Sequence, residues 1–287
     1  MNVGFIGFGE AAFAIASGLR EAGVEQMIAY DAFRNEQVVA RAEQIGVNLQ
    51  DDIQSIGERA TIIFSLVTPS SARQVAEEVA PFIQQGAVYA DLNSCSPQAK
   101  RGIAEVFSDT GALFTCVAVM SAVPPLRHKV PMLADGPGAS HLKGQMEAYG
   151  MQIEAVDGPI GSAAAIKMCR SVIVKGMEAL FLEALLAADS AGVVEQVLAS
   201  ADASFGHMTL SELANYLIVR NLQHGQRRAH ELVEAADTVA EFGYEPLVTR
   251  GAAQRLAWSA SRQPTGGSEQ RVTSFQEVLE ILKQGQS

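Results

Sequence analysis

At 287 residues, 48% of them apolar, the chain is long enough for two domains and can bury a substantial core. A formal net charge of −11 argues against non-specific nucleic-acid or anionic-membrane binding, which needs a basic surface, but leaves room for a locally basic site that takes a small anion. Three well-separated cysteines (Cys95, Cys116, Cys169) and five scattered histidines fit a reducing compartment and offer no metal-ligand spacing, so the expectation is a cytoplasmic protein with no metal. No apolar run reaches membrane-spanning length, and the first residues enter a strand-like run without the pattern of a secretion signal.

In chain order, the first half alternates short β-like runs with amphipathic stretches. The sequence predicts strands over 3–6, 27–30, 61–67, 87–91, 113–119 and 130–134. Between them it predicts helices over 11–22, 35–45, 70–80 and 97–108, the first two stopped by Gly23 and Gly46. Such alternation builds βαβ units and a parallel sheet covered on both faces. After Gly158 the pattern changes to one long proline-free helix over 162–191. Helices over 193–201, 209–242 (with breaks), 246–260 and 274–283 follow, with a loop over 261–267. The expected fold is α/β: an N-terminal doubly wound Rossmann sheet over 1–158, then an all-helical C-terminal domain over 159–287.

The segment Gly7-Phe8-Gly9-Glu10-Ala11-Ala12 is a GxGxxA fingerprint between a predicted strand and a predicted helix, the context such a motif requires. Gly7 permits the tight turn, Gly9 lets the backbone approach a pyrophosphate, and Ala12 lets helix and strand pack closely. Asp31 lies 24 positions after Gly7, near the offset of a carboxylate that bonds the adenosine ribose. A carboxylate there repels a 2′-phosphate, so the expected cofactor is NAD. NADP stays possible because Arg34 is close enough in sequence to accommodate a phosphate.

The domain junction reads Gly158-Pro159-Ile160-Gly161-Ser162-Ala163-Ala164-Ala165-Ile166-Lys167-Met168-Cys169-Arg170-Ser171. It closely resembles the GxxGxGxxxKxxxN signature of the β-hydroxyacid dehydrogenases, relatives of 6-phosphogluconate dehydrogenase. Gly158, Gly161 and Lys167 match; Ala163 stands at the third glycine and Ser171 at the asparagine. The resemblance implies that Lys167 is the catalytic general acid/base and that position 171 helps to hold substrate. On a helix, Lys167 and Ser171 share a face with Lys175. An apolar setting and a second nearby cation favour the neutral amine, as acid/base work near neutral pH needs.

Further segments resemble the same family. Asp91-Leu92-Asn93-Ser94-Cys95-Ser96-Pro97 is similar to its D-x-S-T-x-x-P segment, which implies that Asn93 or Ser94 lies near the nicotinamide, as would Val67-Thr68-Pro69. The family's D-A-P-V-S-G-G substrate segment maps onto Cys116-Val117-Ala118-Val119-Met120-Ser121-Ala122. Here a cysteine replaces the aspartate, both glycines are lost, and Ser121 meets the serine only with a one-residue slip. Val123-Pro124-Pro125-Leu126-Arg127-His128-Lys129 replaces the usual glycine-rich loop. His224-Gly225-Gln226-Arg227-Arg228 falls where the family places a lysine–aspartate pair, with His224 at the lysine's place and no aspartate. The chain thus resembles a divergent branch with its own C-terminal domain type.

The function expected from these features is an NAD(P)-dependent dehydrogenase. It would interconvert a hydroxyl and a carbonyl on a small hydroxy acid or related polar alcohol, with Lys167 moving the proton. Ser121, Ser171, Lys175 and His224 are the expected substrate contacts; Gly7, Gly9, Ala12, Asp31, Thr68, Pro69 and Asn93 are the expected cofactor contacts. The long alanine- and leucine-rich helix suggests a homodimer, with the helical domain serving substrate binding and dimerisation. Two alternatives differ in kind. Imine reductases share this architecture and reduce C=N, but generally lack the lysine. A non-catalytic nucleotide-binding regulator would account for the departures over 116–122.

Overall fold

The structure, a computed structural model, describes residues 1–262 and 272–284; a few helix side chains, Lys175 among them, lie outside that description. The chain divides into two compact units, Met1–Val172 and Ile173–Ser287. The division falls inside the long helix that begins after the junction at residue 158.

The first unit is built on eight strands: β1 (Val3–Ile6), β2 (Met27–Tyr30), β3 (Asn48–Leu49), β4 (Ile62–Ser65), β5 (Val88–Asp91), β6 (Leu113–Val119), β7 (Met132–Asp135) and β8 (Ile153–Ala155). They form one sheet in the order β3-β2-β1-β4-β5-β6-β7-β8. From β3 to β6 every pairing is parallel, the 3-2-1-4-5-6 order of a doubly wound dinucleotide fold. The last two strands depart from a wholly parallel sheet. β7 runs antiparallel to β6, and β8 is parallel to β7. The cause is the connection 120–131, which carries Pro124 and Pro125 and no more than a four-residue helix and a single 3-10 turn, Arg127–Lys129. It is too short and broken for the helical crossover that a parallel return demands.

Alternation along the strands makes two cores. Phe5 and Phe64 point to one face, where α1 (Glu10–Glu21), α2 (Glu36–Ile45) and, later in the chain, Ala139–Met146 bury their apolar stripes. Ile6, Ile63 and Tyr89 point to the other face. That face is covered by α3 (Gln54–Arg59), α4 (Ala72–Val79), α5 (Pro97–Ala104) and the start of the junction helix. The ring centroids of Tyr89 and Phe107 lie 4.4 Å apart within it. Two short helices, α6 (Val123–Leu126) and α7 (Ala139–Met146), complete the unit. The junction helix, α8 (Ser162–Ser190), continues into the second unit.

The second unit adds α9 (Val194–Phe205), α10 (Leu210–Glu241), α11 (Leu247–Ala260) and α12 (Phe275–Gln284). Among its described residues there is no strand. α10 is a single 32-residue helix without the expected breaks, launched by a reciprocal Thr209–Glu212 capping box. It packs closely on α11: a Cβ on Gly225 would lie 3.1 Å from Ala260 Cβ, and Asn221 Nδ2 donates to Ser259 Oγ. Asn215 Oδ1 accepts from Phe275 N at 2.8 Å and so caps α12. Pro246 stands at the N-cap of α11, one residue before the helix begins. Of the loop expected over 261–267, residues 263–267 lie outside the described residues.

Candidate functional site

The turn between β1 and α1 sits where the strand order reverses, between β1 and β4, the place where open α/β sheets bind ligands. Gly7 has φ +82°, and a Cβ on it would meet Leu66 O at 2.4 Å, so no other residue fits. Gly9 is different. Its φ of −72° suits any residue, and a Cβ there would find nothing of the protein within 4 Å. The room left by the missing side chain opens beside a cleft of 410 Å³ lined by Gly7, Gly9, Asp31, Phe33, Thr68 and Val75, among others. A diphosphate fits such a cradle, because backbone N–H groups and a helix N-terminus face it and no side chain intrudes. Ala12, 1% exposed, packs α1 against the sheet.

Asp31 closes the far side of the turn. Its Oδ2 accepts from Phe8 N at 2.7 Å and its Oδ1 from Phe33 N at 2.8 Å. Each oxygen keeps acceptor capacity for a hydroxyl. Arg34 is ion-paired with Asp51. Thr68 lines the cleft, with its Oγ1 3.0 Å from the hydroxyls of Ser70 and Ser71. Pro69 does not line it; its carbonyl accepts from Cys95 Sγ at 3.8 Å.

Beneath these loops lies a buried polar cluster that motif reading does not reveal. Lys100 and Asp91 form an ion pair at 3.1 Å with side chains 1% and 0% exposed. Lys100 Nζ also donates to Asp91 O at 2.6 Å. Asp91 Oδ1 accepts from both Asn93 N and Asn93 Nδ2. Asn93 in turn donates to Ser65 Oγ and accepts from Val67 N at 2.7 Å. Its side chain is therefore buried and occupied in tying the loop after β5 to the loop after β4, not in lining the cleft.

The junction glycines follow from backbone geometry. Gly161 has φ +100°, and a Cβ there would lie 2.9 Å from Pro97 O. The buried carboxylate of Asp135 accepts from Gly161 N at 2.9 Å and Ala163 N at 2.7 Å, capping the start of α8. Asp135 stands opposite Cys116 in the β6–β7 register. Burial pushes the Cys116 thiol up to about 12. With its start fixed in this way, α8 brings Lys167, half-buried, to the end of β5, where Nζ donates to Ser94 Oγ at 2.9 Å. One turn on, Arg170 reaches Met120 O at 3.4 Å.

The ends of β4, β5 and β6 and the start of α8 thus gather Thr68, Ser94, Met120 and Lys167 at one edge of the sheet. Ser121 is exposed beside Met120, and Ser171 is half-buried on α8. Arg127 is drawn onto α1 by an ion pair with Glu21. Next to it, His128 is buried so tightly against Gly18 that a Cβ there would overlap its ring. Burial, then Lys129 and Arg127, hold the His128 imidazole below its ordinary pKa. In the second unit His224 is exposed on α10, and the side chain of Lys175 lies outside the described residues. No motif in the sequence marks Asp135 or Lys100. Only the position of Asp135 at a strand end before Gly136-Pro137-Gly138 could have flagged the first, and nothing local flags the second.

Residues 2–93 match the family model described as NADP oxidoreductase, coenzyme F420-dependent. Residues 188–259 match a domain of unknown function, DUF1932. A conserved hypothetical protein from Sinorhizobium meliloti 1021 is 35% identical, with 99% of this chain and 96% of that one covered and a TM-score of 0.66. The conserved protein MTH1747, of unknown function and described as structurally similar to 3-hydroxyacid dehydrogenases, is 30% identical over 89% of this chain and 96% of its own, with a TM-score of 0.65. An imine reductase from Myxococcus stipitatus, solved in complex with NADP+, superimposes with a TM-score of 0.72 over 98% of this chain and 100% of its own. At 14% identity that likeness is one of fold. Among the described residues, no helix is long and apolar enough to cross a membrane.

Proposed function

Because the chain belongs to the β-hydroxyacid dehydrogenase and 6-phosphogluconate dehydrogenase-like family, in a divergent branch with its own C-terminal domain type, we propose that it interconverts a hydroxyl and a carbonyl on a small hydroxy acid. It is an NAD(P)-dependent oxidoreductase. The observation that carries the finer reading is the hydrogen bond from Lys167 Nζ to Ser94 Oγ at the carboxyl edge of the sheet.

In this reading residues 1–158 hold the dinucleotide, and 159–287 serve the substrate and the dimer contact. Gly7, Gly9 and the N-terminus of α1 cradle the diphosphate; Asp31 accepts from the adenosine ribose; Thr68 lines the same cleft. Pro69 and Asn93 hold the loops after β4 and β5 that border the nicotinamide. When bound, the nicotinamide accepts or supplies the hydride. Lys167 removes the hydroxyl proton during oxidation and returns it during reduction, and Ser94 orients the amine. Ser121 and Ser171 supply hydroxyls for the substrate. Lys175 and His224 supply positive charge for the substrate carboxylate.

The test is a panel of hydroxy acids with NAD and NADP, their oxo acids with the reduced cofactors, and a set of cyclic imines, all followed by nicotinamide absorbance. Turnover of a hydroxy acid or oxo acid supports the reading. Turnover confined to imines replaces it with C=N reduction, and cofactor binding without any turnover replaces it with a nucleotide-binding regulator.

A further inference from the structure

We propose that the ring of Phe33 is the platform on which the adenine of the dinucleotide stacks, an inference that rests on the nucleotide reading of the cleft. Phe33 is 82% exposed, more than any other large apolar side chain among the described residues. Isolated exposed apolar side chains are common, but this one stands in the wall of the cleft. Its backbone is fixed on both sides. Phe33 N donates to Asp31 Oδ1 at 2.8 Å, and Phe33 O accepts from Asn35 N at 2.7 Å. The ring is thus presented by an ordered turn and by the same carboxylate that is assigned to the ribose.

The order of groups along the cleft places the base. The diphosphate belongs at Gly9, and the ribose hydroxyls belong at Asp31. The base attached to that ribose therefore falls on the side of Asp31 away from the glycine turn, where Phe33 stands two residues on. Val75 of α4 lines the same cleft and offers an apolar contact for the base. The neighbouring cation does not compete for the π-face, because Arg34 is held by Asp51. An aromatic ring stacks on any purine face with little demand for hydrogen bonds, so the site recognises the adenosine half by its shape and its ribose.

The experiment compares NADH with reduced nicotinamide mononucleotide, which keeps the nicotinamide, its ribose and one phosphate but lacks adenosine. In the wild-type chain and in Phe33→Ala and Phe33→Trp, dissociation constants are measured by calorimetry. Phe33→Ala is expected to weaken NADH roughly 5- to 150-fold, the range of one base–aromatic stack. It should leave the mononucleotide unchanged, and Phe33→Trp should bind NADH within a few-fold of wild type. If Phe33→Ala binds NADH as tightly as wild type, the platform is overturned while the nucleotide site stands. Equal weakening of both ligands also overturns it, since the ring would then only hold the turn. A wild-type chain that binds neither NADH nor NADPH removes the nucleotide reading itself.

Discussion

Lys167 Nζ donates to Ser94 Oγ at 2.9 Å, joining the start of α8 to the loop after β5 across 73 positions of sequence. The helix is fixed by Asp135 at its cap and the loop by the Asp91–Lys100 pair beneath it, so both partners are held from behind. Replacing Lys167 with methionine is expected to lower kcat about 10²–10⁴-fold, the usual contribution of a positioned acid/base. NADH binding, measured by the cofactor's own fluorescence, should stay nearly intact. Arginine should not rescue, because it does not release its proton near neutral pH. Ser94→Ala should cost less than the loss of the lysine itself. The serine oxygen accepts from the amine and fixes its direction, so its loss lowers kcat while KM stays close to wild type. A Lys167→Met enzyme that keeps most of its kcat would remove this lysine from the chemistry.

Asp31 should make NAD the preferred cofactor. Its carboxylate is held in place by Phe8 N and Phe33 N, and the nearest arginine in sequence, Arg34, is paired with Asp51. A 2′-phosphate would meet a negative charge without a released cation to balance it. The ratio of kcat/KM values for NAD and NADP should exceed one, and Asp51→Ala, which frees Arg34, should reduce it. An NADP preference in the wild-type chain would mean that Arg34 leaves Asp51 for the phosphate.

Most of the first unit was readable because its strands are continuous apolar runs and its helices end at glycines. Val3–Ile6, Met27–Tyr30 and Leu113–Val119 fall where the sequence predicts them. What escaped is short or lies at an edge: the two-residue β3, the six-residue α3, α7 with Gly144 inside it, and the three-residue β8. Elements of that size carry too few periods to register as a pattern. The sequence places breaks within 209–242 because no local signal tells that α11 and α12 cover the unbroken α10. At the site, GxGxxA and Lys167 could be seen because each carries a spacing. The Asp91–Lys100 pair could not, since a lysine in a helix reads as a surface residue until the fold buries it.

That pair should govern the stability of the loop that carries Ser94. Lys100→Met leaves Asp91 buried without its cation, and removing one partner of a buried pair costs about 3–5 kcal/mol. Denaturant unfolding should show a loss of that order. The double variant Lys100→Met/Asp91→Leu removes both charges and should be more stable than Lys100→Met alone. If the two variants are equally unstable, the charge pair is not the source of the loss.

Self-association is expected from the second unit. Leu247 is 69% exposed, Leu210 63% and Phe181 53%, apolar side chains that a second copy of the chain would cover. Light scattering at micromolar concentration should give the mass of a dimer of the 30.5 kDa chain, and Phe181→Glu should shift it toward the monomer. A monomer in the wild-type protein would leave these side chains without the proposed partner.

Acid should loosen the second unit through Glu183. Its Oε2 accepts from Val248 N at 2.8 Å, and its Oε1 accepts from Thr249 N at 2.9 Å and Thr249 Oγ1 at 2.6 Å, so α8 caps the start of α11. Burial alone would raise this carboxyl's pKa. The hydrogen bonds from the Thr249 hydroxyl and the Val248, Thr249 and Leu247 N–H groups outweigh it and hold the group below the ordinary glutamate value. A carboxyl depressed in the folded state binds fewer protons folded than unfolded. Its stabilisation is therefore complete above the unfolded value of about 4.3 and is lost as pH falls through the folded one. Trp258, the only tryptophan in the chain, lies on α11 with Arg255 and Arg262 each 4.8 Å from its ring, and so reports on this helix. Urea unfolding followed by its fluorescence should show Glu183→Gln less stable by about 1–3 kcal/mol at pH 7, because one amide oxygen replaces a charged, doubly accepting group. The gap should close as pH drops below about 4.3. A gap that stays constant from pH 7 to pH 3 would mean that the charge of Glu183 contributes nothing to the cap.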